Sequence, residues 1–440
     1  MKALATTVRI DPQLKDAANS IFEELGISLS AGVSAFLKAV VREKGMPFEM
    51  KLDADIIPNL NSPKTAKMVV SNRISGNIDL NRAGIAKRDE FYTQLCDIEA
   101  ELQFYKSSFK NKVVLCNCDD PFESNFFKYF ILHFNELKIK KLIATSYQYS
   151  SYSGHEYPVE KLLAPYPVGQ EKAYKAVVTF VDDSLIQSKK NTSIPKNLFS
   201  LPGNSIELLN DDGDFRSNEC IALLDSSDIV VTNPPFSLFR DFIGTLISKE
   251  KKFLIIGNIN AATYKEVFPL IRDNKIWLGA SIHSGDRKFY VPDTYPLNAA
   301  GCGYDNDGKR YIRVKGIRWY TNLDMTQRHQ ELNLSETYNP EEYPMFDNYN
   351  AINVSRTVKI PYDYSGIMGV PITFLDKYNP DQFDILMLAN GNVRANSNPE
   401  TLKLVGYKRH QNDKGGVGVI KGKRSYARIL IRNKCPKVDQ

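Results

Sequence analysis

Long apolar runs are missing from this chain: nowhere in its 440 residues does a hydrophobic stretch approach the length of a membrane span. The opening Met1-Lys-Ala-Leu-Ala-Thr-Thr has no signal-peptide core, so a cytoplasmic protein with no membrane partner is expected. Cysteine is sparse, and six scattered thiols do not build a disulfide framework. Cys116 and Cys118 form a lone C-x-C with no second Cys pair or His cluster at zinc spacing. They read as core thiols, and no metal is expected. Acid is locally scarce as well. Between Lys403 and Lys437 eleven Lys and Arg face a single acid, Asp413. Between Lys309 and Arg318 stand five basic residues and no acid, directly before Trp319 and Tyr320. The net charge is only +6, so this excess is local rather than global. Basic residues interleaved with aromatics fit a polyanion-binding face, and Arg313, Lys315, Arg318, Lys421, Lys423 and Arg424 are the candidate contacts. A solvated surface is the other reading of either segment alone.

What is present is ordinary in bulk: 42% hydrophobic and 25% charged residues describe a globular chain too long for one core. Residues 1–50 form a first module. A short strand over 3–10 is followed by Asp11-Pro12, a cap with proline at the first helical position, and a helix to Leu25. A second helix from Ser28 or Ser30 carries Val33, Phe36, Leu37, Val40 and Val41 on one face. One strand and two helices cannot bury a core alone; two copies pairing their strands can, which is the ribbon-helix-helix arrangement. The segment resembles RelB/DinJ-type antitoxins. That resemblance implies a homodimer whose ribbon enters the DNA major groove, with Thr7 and Arg9 facing the bases. A leader that serves only dimerisation is the alternative. Residues 51–86, rich in Asn, Ser and Pro, read as a linker.

From 87 to 280 strands and helices alternate, which implies an α/β fold with a mostly parallel sheet. Strands are expected at 112–117, 141–145, 174–181, 228–232 and 253–257, with helices at 123–137, 218–224 and 238–248. The Tyr-rich stretch 146–172 is longer than a compact connection needs and is a candidate lid or DNA-contacting loop. Beyond 280 the regularity fades, and 281–440 reads as a target-recognition region ending in a basic strand pair at 416–421 and 426–432.

The densest chemical signal is Asp228-Ile-Val-Val-Thr-Asn233-Pro234-Pro235-Phe236. A buried β-branched strand stops at two prolines that offer no amide hydrogen, and an aromatic stands at its carboxyl end. In open α/β sheets ligands sit at that end. The Asn233 amide oxygen and the Pro234 carbonyl can accept both hydrogens of a planar NH2 group, freeing its lone pair toward a methyl donor. Phe236 offers a flat face for a base taken out of its stack. An Asx-Pro turn that merely ends a core strand is the bland alternative.

With these residues the chain resembles amino-methyltransferases that use S-adenosylmethionine, and more narrowly the EcoRI-type adenine DNA methyltransferases. Lys87-Arg-Asp-Glu-Phe-Tyr-Thr93, Cys116-Asn-Cys-Asp-Asp-Pro121, Gly213-Asp-Phe-Arg-Ser217, Asn233-Pro-Pro-Phe-Ser-Leu-Phe-Arg240, Gly316-Ile-Arg-Trp-Tyr-Thr-Asn322 and Met368-Gly-Val-Pro-Ile-Thr-Phe-Leu-Asp376 carry the likeness over about four-fifths of the chain. It implies a Rossmann-like class I core, S-adenosylmethionine as donor, and methyl transfer to N6 of an adenine flipped out of duplex DNA. Asn233, Pro234, Pro235 and Phe236 are then catalytic. On the donor side it implies Thr93, Asn117, one of Asp119 and Asp120 (the other being a cap), Asp214 on the adenine amine and Phe215 as a stacking contact. Two departures stand out. The loop after the first strand, Asn117-Cys-Asp-Asp-Pro121, has no glycine, and the strand 141–145 ends in Thr-Ser rather than the acid that holds a ribose, leaving that ligand unnamed. An inactive methyltransferase body fused to a DNA-binding antitoxin or regulator, or an RNA or protein-glutamine methyltransferase, are the competing readings. A partner restriction enzyme or toxin stays open.

Overall fold

The computed structural model describes residues 92–147, 172–185, 194–195, 197–291, 297 and 301–437. The chain divides into two units, 1–74 and 75–440, and all described residues lie in the second. The ribbon-helix-helix expected over 1–50 with Arg9, the linker 51–86, and positions 148–171 of the Tyr-rich stretch lie outside the described residues.

Strand β1 (Tyr92–Thr93) and helix α1 (Leu95–Leu102) come first, then β2 (Val113–Asn117), α2 (Asn125–Leu132), β3 (Lys141–Thr145), β4 (Tyr174–Val178) and β5 (Ser205–Leu208). Helix α3 (Asn218–Ser226) leads to β6 (Ile229–Thr232), α4 (Phe239–Ser248) to β7 (Lys252–Asn258), and α5 (Phe268–Arg272) to β8 (Trp277–Leu278). Next come β9 (Asp286–Tyr290), β10 (Gly303–Tyr304), β11 (Arg310–Lys315) and β12 (Ile317–Thr321). The last part holds β13 (Ala351–Asn353), β14 (Ile367–Val370), β15 (Phe383–Ala389), α6 (Val393–Asn396), α7 (Pro399–Leu404), β16 (Val419–Ile420), β17 (Lys423–Arg424) and β18 (Arg428–Asn433).

One sheet has the order β5-β4-β3-β2-β6-β7-β12-β8. Its middle, β3-β2-β6-β7, is parallel, while β4, β5, β12 and β8 join antiparallel to their neighbours. The sheet is therefore less parallel than its sequence pattern implies. A parallel neighbour needs a crossover that covers the sheet face, and α2 between β2 and β3 and α4 between β6 and β7 are such crossovers.

Alternation along the strands sends Val114, Cys116, Ile229, Val231, Leu254 and Ile256 to one face and Leu115, Val230, Phe253 and Ile255 to the other. Both faces are buried, which is why these strands read as unbroken apolar runs. The first face packs on α1 and α2 through Ile98, Leu102, Phe126 and Phe130. The second packs on α4 through Phe242, Ile243 and Leu246, and on Met368, Phe383 and Ile431 from the carboxyl-terminal sheet, ordered β13-β14-β18-β15.

Three expectations change. Helix α2 is shorter than 123–137: Ser124 caps it by accepting from the Phe126 amide, and His133 leaves helical geometry with φ −111 and ψ 11. No boundary falls at 280, because β12 returns to lie between β7 and β8, and residues from both sides of that position share one core. The basic segments near 416–421 and 426–432 are not partners of each other. Strand β18 lies between β14 and β15, while β16 pairs with β17 in a separate hairpin.

Candidate active site

Strand order reverses beside β2, since the chain passes from β2 to β3 on one side and from β6 to β7 on the other. A crevice outside the strand carboxyl ends at such a reversal is where open α/β sheets bind ligands. Strand β6 runs directly into it. Its ladder with β7 ends at Thr232 opposite Ile255, and Asn233-Pro234-Pro235 follows. Asn233 and Pro234 are buried, Pro235 and Phe236 half-buried. Phe236 opens a 3-10 turn, Phe236–Leu238, that hands the chain to α4.

The loop is pinned from the neighbouring strand. The Asn233 amide donates to Asp119 Oδ2 at 3.2 Å. The Thr232 hydroxyl lies against both that carboxylate and the Asn117 carbonyl, and its single proton serves one of them at a time. Asp119 is thus a positioning residue for the Asn233 loop, whatever else it binds. A second wall comes from the small sheet β1-β9-β11-β10. Phe289 of β9 stands opposite Thr93 in register, and its ring meets that of Phe236 edge-on at 6.4 Å between centroids. Thr93, far away in sequence, is thereby brought to the same end of the fold. Its carbonyl accepts from the Asn125 side-chain Nδ2 at 2.6 Å, which ties β1 to the start of α2.

Asp120 plays the other aspartate's part. Its Oδ1 accepts from the Phe122 amide at 2.9 Å and its Oδ2 from the Tyr174 hydroxyl at 2.6 Å. Burial pushes this carboxyl up, against the opposing pull of those two hydrogen bonds. It closes the turn before α2, whose own cap is Ser124. The expected division into one cap and one ligand accordingly assigns Asp120 to the turn.

The 213–217 loop belongs to the same rim. Gly213 has φ +79, and a Cβ there would lie 2.1 Å from the Ser146 carbonyl oxygen, so the close approach to the end of β3 requires glycine. Asp214 is held bidentately by Arg216, at 2.9 Å through Nε and 2.6 Å through Nη2. Phe215 lies on the sheet side of the same loop. It is a core side chain, 4% exposed, packed edge-on against Phe242 at 4.9 Å.

Three buried side-chain oxygens at the carboxyl ends of β1, β2 and β3 have no hydrogen-bond partner: Thr93 Oγ1, Asn117 Oδ1 and Thr145 Oγ1. Native proteins rarely leave such groups unsatisfied, and a polar ligand is one way to satisfy them. A donor with an ammonium, a carboxylate and ribose hydroxyls fits this uncharged set. Among the described residues no group of three or more His, Cys, Asp or Glu could hold a metal ion.

The family model described as adenine-specific methyltransferase EcoRI matches residues 79–434. The chain belongs to the EcoRI-type adenine-specific methyltransferase family. It is 44% identical over 357 residues to Type II methyltransferase M.EcoRI of Escherichia coli, an alignment covering 81% of this chain and 96% of that protein. It is 37% identical over 365 residues to Type II methyltransferase M.MpnI of Mycoplasma pneumoniae, covering 80% and 98%. A second family model, RelB antitoxin, matches residues 5–62. No solved structure matches significantly.

A DNA methyltransferase of the EcoRI family needs cationic surface for phosphates, and the six candidate basic residues divide. Arg313 and Lys315 are exposed on alternate positions of β11, with Lys288 of β9 opposite Arg313 in register. Lys288, which no sequence pattern singles out, packs over the rings of Tyr290 and Tyr311 at 5.2 and 4.3 Å. Lys421, Lys423 and Arg424 are exposed at the β16–β17 hairpin. Its two-residue turn has φ +49 at Lys421 and +73 at Gly422, and the Asp347 carboxylate accepts from the Gly422 amide at 2.8 Å. Tyr426, 85% exposed, stands two residues beyond. Arg318 is not part of this surface. It is 4% exposed and bound to Asp376 at 2.5 and 2.9 Å, with its guanidinium also donating to the Ile317 carbonyl. Trp319 and Tyr320 are likewise core side chains, not an aromatic contact face.

Proposed function

We propose that the chain methylates N6 of an adenine flipped out of duplex DNA, using S-adenosylmethionine bound at the reversal point of a Rossmann-like class I sheet. The observation that carries the reading is the place of Asn233-Pro234-Pro235-Phe236. The motif follows the carboxyl end of β6, buried up to Pro234 and pinned through Asp119. Asn233 Oδ1 and the Pro234 carbonyl accept the two amine hydrogens, and Phe236 stacks on the base. The donor supplies an electrophilic methyl on sulfur. In the transfer an N–C bond forms as the S–C bond breaks, and the extra proton leaves the product nitrogen afterwards, so positioning rather than a general base carries the rate. Thr93 and Asn117 face the donor. Asp214 joins them only by sharing its carboxylate with Arg216, and Asp119 acts chiefly through the loop. Incubating the protein with duplex DNA and labelled donor, then digesting to nucleosides, should give N6-methyladenine; label in RNA or in protein alone would overturn the reading.

The same reading gives Arg313, Lys315, Lys421, Lys423 and Arg424 to the phosphates. Replacing Lys421, Lys423 and Arg424 with Ala should weaken binding uniformly across sequences. The salt dependence of affinity should flatten by about 0.9 in log–log slope for each phosphate no longer neutralised. An unchanged slope removes the hairpin from the interface.

The RelB antitoxin match over residues 5–62 supports a second element of the proposal, an amino-terminal dimerising DNA-binding module with Arg9 on the bases. A protein lacking residues 1–50 should be a monomer that still methylates but binds DNA less tightly at physiological salt. Light scattering decides it: a full-length monomer at micromolar concentration rules the module out as a dimeriser.

A further inference from the structure

We infer that Thr145 supplies the hydroxyl that receives the donor's ribose, in place of a charged residue; this rests on the S-adenosylmethionine reading above. Thr145 closes β3 and is 1% exposed, yet its Oγ1 has no hydrogen-bond partner. Asn117 closes β2 directly opposite it in register, is 2% exposed, and its Oδ1 is also without one. Leu115 and Ile143, two positions earlier on the same strands, point into the face that also holds Phe215. By strand alternation Thr145 and Asn117 share that face, the one flanked by the 213–217 loop whose Gly213 abuts Ser146. Parallel neighbours lie about 4.8 Å apart, close enough for two side-chain oxygens to address adjacent groups of one ligand.

A hydroxyl and an amide oxygen left unsatisfied in a packed interior both destabilise the free protein, and a valine at 145 would fill the same space without that penalty. Among the described residues nothing uses the Thr145 hydroxyl, which points to a ligand. A ribose hydroxyl is the group that fits: it both donates and accepts, as threonine does, and demands no charge. The uncharged pair also accounts for the Thr-Ser ending of β3, where an acid would otherwise be expected.

The test is Thr145→Val in the full chain, read by calorimetry with S-adenosylhomocysteine and its 2′-deoxy and 3′-deoxy analogues, and by melting without ligand. The unliganded variant should melt at the same temperature as the parent or higher. Its dissociation constant for S-adenosylhomocysteine should rise about five- to tenfold, the range of one lost neutral hydrogen bond. One deoxy analogue should bind parent and variant equally. Unaltered affinity for S-adenosylhomocysteine overturns the inference, and so does an equal loss with every analogue alongside a lowered melting temperature, which marks a packing residue. Failure of the parent to bind S-adenosylhomocysteine at all would instead overturn the donor reading beneath it.

Discussion

Asn233→Ala should lower methyl transfer by ~10²–10³ at saturating donor and DNA, the usual effect of removing one well-placed polar group from a transition state. The side chain is buried where the loop follows β6, and its backbone amide is held by Asp119. Truncation therefore removes an acceptor without releasing the loop. Pro234 would still accept one amine hydrogen, but the second would no longer be drawn away, and the nitrogen lone pair would stay conjugated with the ring. Donor affinity should hold within about twofold, because the proposed donor-side groups Thr93, Asn117 and Thr145 stand on other strands. Near-normal turnover in this variant would remove Asn233 from the catalytic set. Loss of donor binding along with turnover would show that the substitution disturbs the whole rim.

The Asn233 motif was legible because its information is local. A β-branched strand, two prolines and an aromatic define the end of β6 and carry the chemistry proposed beyond it, and β3 likewise falls over 141–145 as its composition implies. The basic residues were not equally legible. Arg313, Lys315 and Arg318 form one cationic run in the sequence, but Gly316, with φ +73, turns the chain between them. Before it, β11 lies in the small sheet with Arg313 and Lys315 exposed; after it, β12 enters the large sheet, where all five residues are buried. Arg318 tolerates that position because Asp376, 58 residues later, meets it there. The role proposed for Thr145 depends on a missing partner, which is a property of the folded chain.

Arg318→Ala should destabilise the protein by ~3–5 kcal/mol, the range for removing one member of a buried ion pair. Both side chains are almost wholly inaccessible, at 4% and 5%. The guanidinium engages both Asp376 oxygens and the Ile317 carbonyl, so alanine strands a carboxylate and a carbonyl in the interior. Asp376 makes the effect pH-dependent with an unusual sign. Burial already raises its carboxyl above the ordinary range, and the Arg318 hydrogen bond and charge are the chief forces holding it down. Without Arg318 the folded state binds a proton that the unfolded chain releases. Stability then falls as pH rises from the unfolded carboxylate value through the raised folded one, the reverse of ordinary acid loss. Denaturant titrations of parent and variant from pH 4 to pH 8 would show the gap widening upward. Arg318→Met combined with Asp376→Leu should recover much of the loss, since two apolar side chains leave no buried charge. A variant that is as stable as the parent but binds DNA poorly would return Arg318 to the phosphate-facing surface and refute the buried pair as a structural tie.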